Sequence, residues 1–165
     1  MSSSMKMLGA TSVAAALAAC LWVLKSVASQ PDAVAIERGR YLVRVAGCND
    51  CHTPGYAESG GTVPENQWLI GTSVGWKGGW GTTYPSNLRL YMQRVTEDQW
   101  VTVAREQQMR PPMPWFNLRD MSEQDLRALY RFVRHLGPAG ELAPAYVAPQ
   151  EAPHGPAIQF PDAAN

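Results

Sequence analysis

Cysteine is scarce in this chain of 165 residues: Cys20, Cys48 and Cys51 are all it has. Two of them stand three positions apart, which leaves Cys20 without a partner and excludes a structural disulfide framework. Charge is sparse too, at 17 % of residues, with 14 basic side chains against 14 acidic. A protein that grips nucleic acid carries a basic excess, and none exists here. Setting aside Lys6 and Lys25 leaves a mildly acidic remainder. There is no internal repeat. A Ser-His-Asp set, a nucleophile elbow, a phosphate loop and paired catalytic carboxylates are all missing, which argues against an independent enzymatic activity.

One long run lacks charge, Leu8 to Leu24, and it follows Lys6. Ser26-Val27-Ala28-Ser29 then offers small residues for cleavage after Ala28 or Ser29, as in an export signal. Two other readings stay open. Leu17-Ala18-Ala19-Cys20 resembles a lipoprotein box, which would make Cys20 the lipidated first residue, although Leu21-Trp22-Val23-Leu24 is an apolar start for such a chain. Alternatively the run is retained as an anchor, at the short edge of the roughly 17–25 residues that span a bilayer. Each reading puts residues 1–30 outside the folded domain. Each also places the domain beyond the cytoplasmic membrane, in the periplasm or on the membrane's outer face.

What is present is concentrated in five residues, Cys48-Asn49-Asp50-Cys51-His52. The spacing C-x-x-C-H lets two thiols add across the vinyl groups of a haem and places the next imidazole to coordinate its iron. A thioredoxin-like redox pair would need a β-α-β pattern around it, and none is visible. A zinc site would need a second Cys or His pair to complete four ligands. The motif occurs once, so one covalent haem c is expected rather than a multihaem wire or a di-haem peroxidase. Export and covalent haem attachment require the same compartment.

Ala33 to Ala46 reads as a first helix, with Ile36, Gly39, Leu42, Val43 and Ala46 on one face. A glycine there costs about 1 kcal/mol against alanine, so Gly39 is read as a point where another helix comes close. Thr53 to Ser86 reads as a long loop rich in glycine and aromatics, among them Tyr56, Trp68, Trp76, Trp80 and Tyr84. It is too aromatic for a linker and is expected to wrap a haem face, or else to form an aromatic mini-core of its own. Thr96 to Gln108 reads as a second helix opened by a capping box, Thr96 with Gln99, and stopped by Pro111-Pro112. Ser122 to Leu136 is the clearest helix. Leu126, Leu129, Tyr130, Val133 and Leu136 form its buried stripe, with Phe132 at the margin. Arg127, Arg131 and Arg134 lie opposite, as a solvated face or a docking patch for an acidic partner. Residues 31–138 therefore form one domain, and 139–165 a proline-rich tail, extended or draped over it.

The second axial position on the iron decides the chemistry. A thioether raises the potential and closes the site, a second histidine lowers the potential, and a vacancy permits gas or peroxide chemistry. The candidates are Met92, Met109, Met113, Met121, His135 and His154. Met113 is preferred, because Pro111-Pro112-Met113-Pro114 fixes the backbone in a form that can project a thioether. The alternative for any of these methionines is gap-filling in a core.

Taken together, Gly39-Arg40-Tyr41-Leu42, Gly47-Cys48-Asn49-Asp50-Cys51-His52-Thr53, Pro112-Met113-Pro114-Trp115 and Ser122-Glu123-Gln124-Asp125-Leu126-Arg127-Ala128-Leu129-Tyr130 resemble class I c-type cytochromes. Thr82-Thr83-Tyr84-Pro85-Ser86-Asn87-Leu88 is similar to the corresponding segment of cytochrome subunits that serve periplasmic dehydrogenases. The resemblance implies an all-α fold of three main helices around the haem, the first and last crossing near Gly39 and Tyr130 or Phe132. It implies thioethers to Cys48 and Cys51 and axial His52 and Met113. It also implies one-electron transfer between redox partner proteins, a dehydrogenase as donor and an oxidase or another cytochrome as acceptor. The chain would be a free carrier or a dedicated dehydrogenase subunit. An open-site haem sensor or enzyme is the remaining alternative. Membrane association would come through the N-terminal segment. The Thr53–Ser86 loop is longer and richer in tryptophan than in compact members, and the tail lies outside the match.

Overall fold

The computed structural model describes residues 32–161. The chain divides into two units between Val34 and Ala35, and the second carries the fold. The cleavage and lipidation readings, Cys20 included, lie outside the described residues.

Helix α6, Glu123–Leu136, is the spine. Its first turn is capped by Ser122, whose hydroxyl accepts the Asp125 N–H at 3.1 Å, satisfying a donor that no helical partner can reach. It ends at Gly137, which takes a positive φ of 71° that side-chain-bearing residues rarely adopt. Leu126, Leu129 and Val133 are buried as the spacing implies, whereas Tyr130 and Leu136 are only partly covered. Phe132 is a correction. It sits at the centre of the stripe, fully buried, and not at its margin.

Helix α1, over 32–45, meets α6 at Gly39. A Cβ on Gly39 would lie 2.1 Å from the Ala128 carbonyl oxygen and 2.6 Å from Phe132 Cβ. The missing side chain lets the two backbones touch, and of the two aromatics expected at the crossing it is Phe132 that fills it. After α2, Cys48–His52, the chain passes a 3-10 turn, Glu65–Gln67, and reaches α3, Leu88–Tyr91, capped by Asn87. Helix α4, Glu97–Glu106, opens with the full reciprocal box between Thr96 and Gln99. Its Trp100 indole donates to the Leu126 carbonyl at 2.8 Å, so the largest side chain of α4 is both buried and satisfied against α6.

The arginine face is not a bare solvated face. Arg127 pairs with Asp98 at 2.7 Å and with Glu123 at 2.8 Å, and Arg131 pairs with Glu97 at 3.1 Å. Arg134 donates to the Met92 carbonyl. The pairs with Asp98 and Glu97 tie α6 to the acidic first turn of α4. Arg89 is a further clamp. It is only 5 % exposed, and it donates to the carbonyls of Gly137, Asn66 and Leu136. A cation at the last carbonyls of α6 is favoured by the helix dipole.

A further helix adds to the three expected, and a small sheet departs from the all-α expectation. A short helix α5, Trp115–Asp120, follows Pro114. The Gly/Trp segment and the tail together build a three-stranded sheet, in the order β2-β1-β3. β1, Gly75–Gly78, pairs antiparallel with β2, Gly81–Thr83, and parallel with β3, Ala157–Gln159. The fold is thus mostly helical with a small sheet at one side. The long span between β1 and β3 hides the pairing from local sequence patterns.

Gly39→Ala is expected to destabilise the protein by about 3 kcal/mol, at the upper end of overpacking costs, since a backbone carbonyl cannot swing away. Gly79→Ala, where a Cβ meets nothing within 4 Å, should stay within about 0.5 kcal/mol. Urea unfolding of the two variants checks the contrast.

Candidate cofactor site

Gly47 turns the chain from α1 into α2 with φ of 70°. One helical turn then carries the whole motif. Cys48 and Cys51 are three positions apart and Cys48 and His52 four apart, the spacings that share a helix face. Neither cysteine forms a disulfide, and both are partly covered. Burial pushes the Cys48 thiol up to about 11, helped by the Asp50 charge. Cys51 is raised for the same reasons.

His52 is buried, and its Nδ1 lies 2.7 Å from the Ser86 carbonyl oxygen. A carbonyl only accepts, so Nδ1 carries the hydrogen and Nε2 keeps its lone pair. Burial holds the ring below the usual imidazolium range, outweighing the Ser86 contact that acts the other way. A neutral, oriented imidazole with one nitrogen anchored on a backbone carbonyl is the form in which histidine binds metals.

A buried relay fixes the turn that supplies Ser86. Thr53 Oγ1 donates to Asn49 Oδ1 at 2.7 Å and accepts the Leu69 N–H at 2.8 Å. Leu69 is fully buried with φ of 60°, a left-handed conformation uncommon outside glycine. Its carbonyl accepts from Leu88, and the Gly71 N–H donates to the His52 carbonyl at 2.8 Å. Segment 69–71 is thus bonded both to α2 and to the start of α3. Sequence reasoning gives Thr53 no role of its own. It misses Ser86 and Leu69 because both act through backbone groups, which leave no side-chain signal.

Met113 lies in a turn after α4. Its N–H donates to the Arg110 carbonyl at 3.3 Å, and its own carbonyl accepts from Trp115 at 2.9 Å. The Pro111–Pro112 peptide bond is cis. Met113 is half-buried against the core, and so are Met109 and Met121. Met92 is instead fully buried at the end of α3, as a core residue. His135 is exposed on α6, and His154 is exposed in the tail, stacked on Tyr84.

The aromatics of the Gly/Trp segment divide into two groups. Tyr56 and Trp68 pack edge-on beside Phe132 in the core. Trp76 and Trp80 pack on Phe160 of the tail. A groove of about 770 Å³ runs beside Tyr41, Arg44, Asp50 and Tyr56, and Cys51, His52 and Met113 do not line it. The donor set itself, two thiols and a neutral imidazole on one turn, fits covalent haem and little else.

Thr53→Val keeps the shape but strands Asn49 Oδ1 and the Leu69 N–H. At about 1–3 kcal/mol for each unsatisfied buried group, a loss of roughly 2–4 kcal/mol is expected. Guanidinium unfolding measures it, and a loss below about 0.5 kcal/mol would show that the relay carries no weight.

A family model described as Cytochrome c matches residues 36–137. Comparison with curated proteins and with solved structures gave no match.

Proposed function

The chain belongs to the cytochrome c family, and from that premise we propose that it carries single electrons between redox proteins of the periplasm, with His52 and Met113 as the two axial ligands. The domain binds covalent haem c, with Cys48, Cys51 and His52 in the C-x-x-C-H spacing. When bound, the haem supplies a one-electron ferric/ferrous couple. The family's role is electron transfer to partner proteins rather than catalysis.

The residues divide the remaining work. Cys48 and Cys51 stand on one face of α2, where their sulfurs would hold the haem by two thioether bonds. His52 offers Nε2 while Ser86 holds Nδ1, so the ring cannot rotate away. Met113 projects from a proline-bounded turn, a rigid base for a thioether that closes the second face and raises the potential. The single observation that carries this reading is the bond that joins His52, in the motif turn, to the Ser86 carbonyl.

A second reading keeps this chemistry but makes the chain a dedicated subunit of a periplasmic dehydrogenase. The observation favouring it is exposed apolar surface on the tail, where Leu142 and Ile158 are 62 % and 44 % exposed. A complex that survives dilution during purification selects this reading. A chain that purifies alone selects the free carrier.

Met113→Ala is expected to retain haem, lower the potential, and open the iron to cyanide and carbon monoxide. An unchanged spectrum and potential would transfer the ligand role to Met109. Cys48→Ala or Cys51→Ala should weaken or abolish covalent attachment, read by haem staining of denaturing gels.

A further inference from the structure

The turn that carries Met113 is gripped from two directions outside the helical domain. From the sheet, Thr83 on β2 donates its hydroxyl to the Pro111 carbonyl at 2.6 Å. From the tail, the Tyr146 ring lies under the Arg110 guanidinium, 4.0 Å from its carbon. Arg110 and Pro111 are the residues on which the turn is built, since the Arg110 carbonyl accepts the Met113 N–H.

Both grips are themselves anchored. Tyr146 donates its hydroxyl to the Trp80 carbonyl at 2.9 Å. Its neighbour Val147 is buried and exchanges two backbone hydrogen bonds with Thr82, at 2.8 and 3.0 Å. Gly81 permits the approach, for a Cβ there would lie 2.3 Å from the Val147 carbonyl oxygen. Farther on, β3 completes the sheet and Phe160 donates to the Lys77 carbonyl at 2.7 Å. The tail is therefore a strap. It is bonded to the same hairpin that reaches the methionine turn.

We infer that Thr83 and Tyr146 are positioning residues for the Met113 thioether, so that the proline-rich tail governs how firmly the second axial face is closed. The inference rests on the assignment of Met113 as a ligand. Neither side chain touches the ligating sulfur. Each acts on the backbone that presents it, through a hydrogen bond or a cation–π contact of the size that shifts an equilibrium about three- to tenfold.

The test uses the full haem-loaded chain and imidazole, which must displace the thioether to reach ferric iron. Its apparent affinity scales with the fraction of molecules in which the thioether has let go. Thr83→Val and Tyr146→Leu are each expected to tighten imidazole about three- to tenfold. They should also weaken the long-wavelength absorption band of thioether-bound ferric iron. Thr83→Ser, which restores the hydroxyl, should stay within about twofold of the parent.

Met113→Ala is measured alongside. If it abolishes the band while Thr83→Val and Tyr146→Leu bind imidazole as the parent does, the ligand assignment stands and the strap is overturned. A fall in thermal stability with unchanged imidazole affinity overturns it equally, because a merely structural contact would behave so. If Met113→Ala itself changes neither band nor affinity, the assignment fails and takes the inference with it.

Discussion

The hydrogen bond from His52 Nδ1 to the Ser86 carbonyl ties the motif turn to the rest of the domain. It fixes the tautomer of the one buried histidine among the described residues and so decides which nitrogen is free to bind iron. It also binds a short helix of five residues to a segment 34 positions away. A five-residue helix has no stability of its own. What holds it is the relay through Thr53, Asn49 and Leu69, with the Gly71–His52 backbone bond beside it. The strained backbone at Leu69 persists because its N–H and carbonyl are both engaged.

Around that turn, two helix contacts supply the frame. The α1–α6 crossing depends on an absent side chain at Gly39, and the α4–α6 contact on a large one at Trp100. Ion pairs from Arg127 and Arg131 close the second contact at its exposed edge. Exposed pairs of this kind are individually weak, so their role is to fix the register of two helices already joined by burial. The sheet and tail then form a separate layer whose aromatic cluster, Trp76, Trp80 and Phe160, lies apart from the helical core.

Much of this was legible in the residues. Capping signals locate the starts of α4 and α6, because Thr96 with Gln99 and Ser122 with Asp125 each satisfy donors that a helix start must satisfy. Gly39 reads as a close crossing because a glycine in an apolar stripe needs a reason. The haem motif declared itself. What the residues do not reveal is non-local or carried by backbone. β1 and β3 are glycine-rich or exposed, show no alternation, and pair across most of the domain's length. Helix α5 is short and follows a proline with no side-chain cap. The stripe periodicity places Phe132 at an edge, but the space opened by Gly39 draws it to the centre.

The claim on which the whole account turns is the covalent bond between one porphyrin and two sulfurs on α2. Intact mass of the denatured protein after thiol alkylation addresses it directly. A mass equal to the chain plus one haem, with neither Cys48 nor Cys51 alkylated, is the expected result. A haem-free chain carrying alkyl groups on both cysteines would contradict the account at its root.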